Sequence, residues 1–323
     1  ASIGGLGGMC ALVFCWQFGY WRLRRFAIPF MVIGLVLLIA VFIPGIGKEL
    51  NGAHRWIRLG IQPSEFAKFM LVIYLARIFS RKDKNVNDFW EFAAPPVAVL
   101  LTYVAFVAKE PDLGTAFVML FTGMTMFALS NARKRHVVLV SVFLLAGMSL
   151  AIMIFPHARQ RILSFRNPEA FPETYGFQAK HARWAVGSGL VTGQGLGQGR
   201  EKYYLPQQDS DYIFATVAEE TGFVGCTIVI LLLSTLGIRG LHIASRTQDP
   251  FGRLAAVGFS SLILWQALIN MAVATGSIPA TGVPLPFISN GSSALIVMMA
   301  GVGVLLSVAQ HPLPPTKRRR ERA

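Results

Sequence analysis

Charged residues are scarce in this chain. They make up 14% of its 323 residues, where soluble domains carry roughly a quarter. Acids are scarcer still, with 16 Asp and Glu against 30 Lys and Arg. Apolar residues reach 54% and mean hydropathy is +0.53. So few charges cannot cover that much apolar surface in water, whereas a bilayer accepts it directly. There are three cysteines, Cys10, Cys15 and Cys226, all inside apolar runs. That excludes a disulfide framework and leaves them as small packing residues. No GxSxG, no HExxH and no Cys/His cluster occurs, so serine-hydrolase and zinc-enzyme chemistry have no carrier. No segment repeats at a period of about 20–50 residues, which excludes a solenoid. No cleavable signal peptide is visible, and the chain opens on Ala1 rather than Met. It reads as starting inside a longer protein.

What is present is a series of apolar runs. They lie near 3–18, 26–46, 63–80, 93–109, 113–130, 137–156, 212–238, 254–275 and 291–309. A span needs about 20 residues, so the expected fold class is all-α, a polytopic integral membrane protein of about nine transmembrane helices. The run at 212–238 is long. As one helix it would reach about 40 Å, past a hydrocarbon core of about 30 Å. Its start is therefore expected in the headgroup zone or in a protein-lined cavity. Bases follow every second run: Arg22, Arg24 and Arg25; Arg81, Lys82 and Lys84; Arg133, Lys134 and Arg135; Arg239, Arg246 and Arg253; then Lys317, Arg318, Arg319, Arg320 and Arg322. This alternation marks those sides, and the C-terminus, as cytoplasmic. It assigns the net charge of +14 to topology rather than to nucleic acid. Residues 1–310 read as one transmembrane domain, with 157–211 a large extracytoplasmic loop. Residues 311–323 read as a basic cytoplasmic tail drawn to anionic lipid.

Two outer segments run against the charge rule. Residues 47–62, GKELNGAHRWIRLGIQ, carry Lys48, His54, Arg55 and Arg58. The long loop carries Arg159, Arg161, Arg166, Lys180, Arg183, Arg200 and Lys202. Bases over an outer cavity suit an anionic ligand. Long loops also translocate whatever their charge, so scattered solvated bases are the plainer reading. Asp211 sits where the long loop meets the seventh run. It is either a helix N-cap or a functional acid at the membrane boundary. Asp209, two residues away, could raise its pKa or share a cation with it. Glu219 and Glu220 follow about 12–14 Å along a helix, with Glu219 nearer the Asp211 side. Pro63 opens the third run, with Glu65 and Lys68 three apart on one face. They form a structural ion pair, or Lys68 reaches an anionic headgroup. GQGLGQG at 193–199 has no strand before it. It fails as a dinucleotide fingerprint and is expected to be a flexible loop.

Five stretches together resemble the FtsW/RodA/SpoVE family, the SEDS proteins of bacterial envelope growth. They are NGAHRWIRLGIQPSEFAK at 51–68, PDLGTA at 111–116, GFQAKHARWAVGSGL at 176–190, GREKYYLPQQDSDYIFATVAEETGFVG at 199–225 and ATGSIPATGVPLPFISNGSSAL at 274–295. RILSFRNPEAF and EKYYLP are more similar to the FtsW/SpoVE branch than to RodA. The family's FISYGGSS reads FISNGSSA here, with Asn290, Ser292 and Ala294 as departures, and Gln207 stands where a Glu is usual. Family members have ten spans, so nine imply that the first is missing.

The resemblance implies a peptidoglycan glycosyltransferase. It would polymerise lipid II at the outer face of the bacterial cytoplasmic membrane and release undecaprenyl diphosphate, in cell division or cell-shape maintenance. Asp211 matches the family's essential carboxylate. It would act as general base on the acceptor 4-hydroxyl, or hold Mg2+ or Mn2+ near the diphosphate. Arg55, Lys68, Arg200 and Lys202 would offset the diphosphate charge. Trp56 would pack on a sugar ring or anchor at the interface. Gln178 and Ser289 would be further substrate contacts, and Asp209, Glu65 and Glu219 supporting acids. A class B penicillin-binding protein, a transpeptidase, and other divisome or elongasome proteins are the implied partners. Two alternatives stay open. One is a lipid II flippase drawing on Glu65, Lys68 and Arg77. The other is a scaffold for envelope-synthesis proteins that docks through its basic tail.

Overall fold

The computed structural model describes residues 2–50, 53–57, 60–81, 86–154, 156–167, 170, 175–200 and 212–312. The basic tail from 313 onward lies outside the described residues, as do Arg58, Lys82 and Lys84.

Nine described helices fall on the nine apolar runs, and two more occupy the long loop. In order they are α1 (Ser2–Phe18), α2 (Tyr20–Ala40), α3 (Pro63–Phe79), α4 (Ala94–Lys109), α5 (Leu113–Ala128), α6 (Lys134–Ile154), α7 (Pro156–Arg166), α8 (Tyr175–Ser188), α9 (Ile213–Arg246), α10 (Pro250–Ala274) and α11 (Ser292–Gln310). A π-helical turn, Phe89–Ala93, leads into α4. Five of these, with that turn counted into α4, are long and apolar enough to cross a membrane, and α1 and α5 are shorter apolar helices. The protein is a multi-pass membrane protein. Between α2 and α3 lies an antiparallel hairpin, β1 (Gly47–Leu50) and β2 (Ala53–Ile57), which sets Trp56 opposite Lys48.

Local chemistry explains where the helices begin. Pro63 and Pro250 open α3 and α10, where a missing N–H costs nothing. Asp112 caps α5 through Thr115 N at 3.2 Å. Asp249 caps α10 through Gly252 N at 2.9 Å. A single residue, Gly19, separates α1 from α2. The first arginine cluster therefore lies on the opening turns of α2 rather than in a loop. That helix also stops at Ala40, earlier than the apolar run, because the chain turns through Pro44 and Gly45.

Lipid gives helices no hydrophobic reason to associate, so close backbone approach has to supply it. α10 forms the centre, packed by α3, α5, α9 and α11. α1 lies along α11, where a Cβ at Gly303 would stand 2.3 Å from the Leu12 carbonyl oxygen. On the outside, α6 exposes Val138, Leu139, Val142 and Phe143, as a lipid-facing helix does.

The long seventh run resolves into two parts. α9 breaks at Gly222, with φ 65° and ψ −161°. Its first part is protein-lined, with Phe214, Ala215, Ala218 and Glu219 buried. The GQGLGQG segment, expected to be a flexible loop, is bonded to this break. Gln194 N donates to Glu219 O (2.9 Å) and Gly195 N to Glu220 O (3.0 Å). Leu190 and Val191 carbonyls accept from Phe223 N and Val224 N at 2.9 and 3.2 Å. A break leaves amides and carbonyls without helical partners, and this segment supplies them. A Cβ at Gly222 would sit 2.4 Å from Gly193 N, in a φ/ψ region almost confined to glycine. Gly222→Ala is therefore expected to cost about 1–3 kcal/mol. A melt in detergent should show a drop of several degrees, and an unchanged midpoint would refute this account of the break.

Candidate functional site

Polar residues gather at the end of the bundle that carries the hairpin, α7, α8 and the 276–291 segment. Their floor is the pair predicted on α3. Lys68 Nζ lies 2.8 Å from both Glu65 carboxylate oxygens and 2.7 Å from Gln266 Oε1 of α10. Both charged side chains are buried. Gln266 in turn donates to Pro284 O at 3.0 Å, and Asn270, one turn on, donates to Val283 O at 2.7 Å. The pair therefore holds down the 276–291 segment from below. The sequence leaves two roles for Lys68, a structural pair with Glu65 or a contact to an anionic headgroup. The pair is present, and the ammonium is enclosed, 1% exposed, between a carboxylate and an amide.

The rim is built where β2 meets the α4–α5 turn. Arg55 donates from Nε to Glu110 O (3.2 Å) and from Nη2 to Pro111 O. This staples the hairpin to that turn and leaves Trp56 half-exposed beside it. Gln62 donates to Asp112 Oδ2 at 3.3 Å, and its backbone N–H reaches Ser293 Oγ at 3.2 Å. Glu110 is fully buried and neither carboxyl oxygen has a hydrogen-bond partner among the described residues. Burial, then the neighbouring Asp112, pushes its pKa up from 4.5 to about 9, with Arg55 opposing.

That shift has a defined sign. Between those two values the folded protein keeps the Glu110 proton and the unfolded chain has lost it, so stability falls as pH rises through the interval. Glu110→Gln keeps the neutral shape and removes the titration. We expect its melting temperature to exceed that of the unsubstituted protein at pH 8 and to converge on it near pH 5. Parallel pH profiles for the two proteins would contradict the assignment.

The far wall comes from the long loop. Arg161 on α7 donates to the Ala280 and Thr281 carbonyls, at 3.2 Å each. Arg183 on α8 donates to Gly276 O at 3.4 Å. Gln178 on α8 accepts from Tyr212 Oη at 3.5 Å. Tyr212 itself is buried among Ala182, Ala185 and Leu285. Glu219 Oε1 accepts from the Arg200 backbone N–H at 2.7 Å, while the Arg200 side chain is exposed. Ser289 is buried and accepts from Leu285 N at 2.7 Å. Asp209, Asp211 and Lys202 lie outside the described residues; Asp211 directly precedes the anchored Tyr212. Among the described residues no cluster of three His, Cys, Asp or Glu could hold a metal ion.

Several members of this layer escaped sequence reasoning. Gln266 and Asn270 are polar, four apart, inside an apolar run. That spacing puts both on one helix face, and it was the available signal. Arg161 and Arg183 were counted as loop bases, yet they bond the 276–291 backbone. Nothing in the sequence marks Glu110 as buried.

Comparison with known proteins places the chain in context. A family model described as a cell cycle protein family, FtsW/RodA/SpoVE, matches residues 4–312. Stage V sporulation protein E of Bacillus subtilis is 40% identical over 94% of this chain and 84% of its own length. A protein of Geobacter metallireducens named probable peptidoglycan glycosyltransferase FtsW is 38% identical, over 94% of this chain and 82% of its own. A solved chain from a peptidoglycan synthase complex, described as coordinating polymerization and crosslinking, superposes with a TM-score of 0.80. It is 28% identical and the match covers 96% of this chain and 88% of that one.

Proposed function

The chain belongs to the FtsW/RodA/SpoVE family, and from that premise we propose that it is a peptidoglycan glycosyltransferase. It joins lipid II units into glycan strands at the outer face of the bacterial cytoplasmic membrane, in division or cell-shape maintenance. The observation that carries this reading is the family match across 4–312, which takes in the DSDYIF segment. The basic clusters between alternate spans support a cytoplasmic C-terminus and an outward-facing polar layer.

In the reaction, the acceptor 4-hydroxyl oxygen attacks the anomeric carbon of the donor. The bond from that carbon to the diphosphate oxygen breaks, and undecaprenyl diphosphate leaves with the electron pair. Asp211 takes the hydroxyl proton as general base. A single displacement of this kind inverts the sugar carbon. Arg200 and Lys202 offset the diphosphate charge. Arg55 braces the hairpin and so sets Trp56 at the rim, where it packs on a sugar ring. Gln178 holds Tyr212, the neighbour of Asp211. Glu65 and Lys68 act through Gln266, by fixing the segment that carries Ser289. The candidate cation ligands, Asp209 and Asp211, lie outside the described residues; added Mg2+ or Mn2+ tests whether they hold a divalent cation near the diphosphate. A class B penicillin-binding protein crosslinks the product as partner.

The flippase alternative relies on Glu65, Lys68 and Arg77. Glu65 and Lys68 neutralise each other in a sealed pair, while Arg77 bonds the Arg24 carbonyl at 3.1 Å. These are bracing contacts and do not form a polar path. Proteoliposomes carrying labelled lipid II separate the two readings. We expect glycan polymer without lipid translocation; translocation without polymer would reverse the assignment.

A further inference from the structure

We propose that a cavity between the opening turns of α2, the end of α3 and the start of α10 binds the phosphate headgroup of an anionic membrane lipid. The cavity is about 640 Å³ and lies away from the polar layer described above. Four arginines line it, Arg24, Arg25, Arg77 and Arg81, with one carboxylate, Asp249. Oδ2 of that carboxylate caps α10 through Gly252 N at 2.9 Å, and four guanidiniums against one carboxylate leave the lining positive.

The arginines are organised by the sequence. Pro29 lies inside α2 and has no N–H, so the Arg25 carbonyl four residues back loses its helical donor. Arg77 of α3 replaces it, with Nη1 3.1 Å from Arg24 O and 3.5 Å from Arg25 O. One guanidinium is thereby fixed at the cavity wall. The charge rule accounts for bases on this side of the membrane, but not for their convergence on one concavity. Like charges at a low-dielectric rim repel, and an anion between them relieves that cost. Guanidinium groups grip phosphate oxygens in pairs.

The apolar side of the cavity selects a lipid over a soluble phosphate. Ile28 lines it and is 45% exposed. Val32 and Val36, also exposed, follow at four-residue spacing, so one stripe runs from the arginines along α2. An acyl chain can lie along that stripe while its phosphate sits among the guanidiniums. Basic pockets between membrane helices have this character. The proposal is independent of Asp211 and of polymerisation.

The test uses the full chain in neutral detergent, titrated separately with phosphatidylglycerol, phosphatidylcholine and inorganic phosphate. Native mass spectrometry and thermal melting provide the readouts. Phosphatidylglycerol is expected to bind saturably and raise the melting temperature, and the other two to do neither. Arg24→Gln with Arg81→Gln should weaken that binding about thirtyfold. Arg133→Gln with Arg135→Gln, at the start of α6, should leave it unchanged. Ile28→Trp keeps every charge, blocks the stripe, and should also lose saturable binding. Three results would overturn the proposal: an equal response to inorganic phosphate, an equal loss in the Arg133/Arg135 variant, or undiminished binding in both cavity variants.

Discussion

Asp211→Asn is expected to lower glycan polymerisation by about 10²–10⁴-fold while leaving the melting temperature unchanged. The substitution is chosen because Asn and Asp are equally good N-caps. If Asp211 served only to start α9, Asn would do the same work and activity would persist. If Asp211 removes the acceptor proton, an amide cannot, and the rate falls although the fold is kept. Tyr212 occupies the cap position of α9 without a side-chain cap bond. It is buried against α8 and Leu285, so the entry to α9 has an anchor that does not depend on the Asp211 charge. Binding of lipid II by the variant, measured alongside, distinguishes a lost base from a lost site. Loss of binding together with activity would place Asp211 in substrate recognition instead.

Lys68→Met carries the largest expected effect on stability. It strands the Glu65 carboxylate at a position with no exposure, and breaking a buried pair in this way costs about 3–5 kcal/mol. Gln266 also loses the donor at its Oε1, which loosens its hold on the Pro284 carbonyl. Adding Glu65→Gln to the same chain removes the uncompensated charge. The double variant is therefore expected to recover most of the lost melting temperature. Its activity should stay below that of the unsubstituted protein, because the 276–291 segment is still less firmly held. A single Lys68→Met variant that melts normally would mean that the pair is not the clamp described here.

The sequence made the helices of the bundle legible because apolar runs set them, and nine described helices fall on those runs. Its failures have local causes. Helix α2 ends at Ala40, ahead of the turn through Pro44 and Gly45, which hydropathy averages over. Helices α7 and α8 were missed because a polar loop helix carries no apolar run. The glycine segment at 193–199 was read as flexible because its partners, the backbone groups around Gly222, become available only when α9 breaks. Within the candidate site, the Glu65–Lys68 pair followed from spacing alone. Its third member, Gln266, is distant in sequence and was visible only as a polar residue inside a span. Asp211 stood out by position, but its proposed role came from the family resemblance and not from spacing.

The most direct measurement is glycan synthesis from lipid II by the purified chain alone, with released undecaprenyl diphosphate counted against new glycosidic linkages. The account predicts polymer from the unsubstituted protein, one diphosphate per linkage, and both products lowered about 10²–10⁴-fold in the Asp211→Asn protein. Equal polymer and diphosphate from both proteins would contradict it.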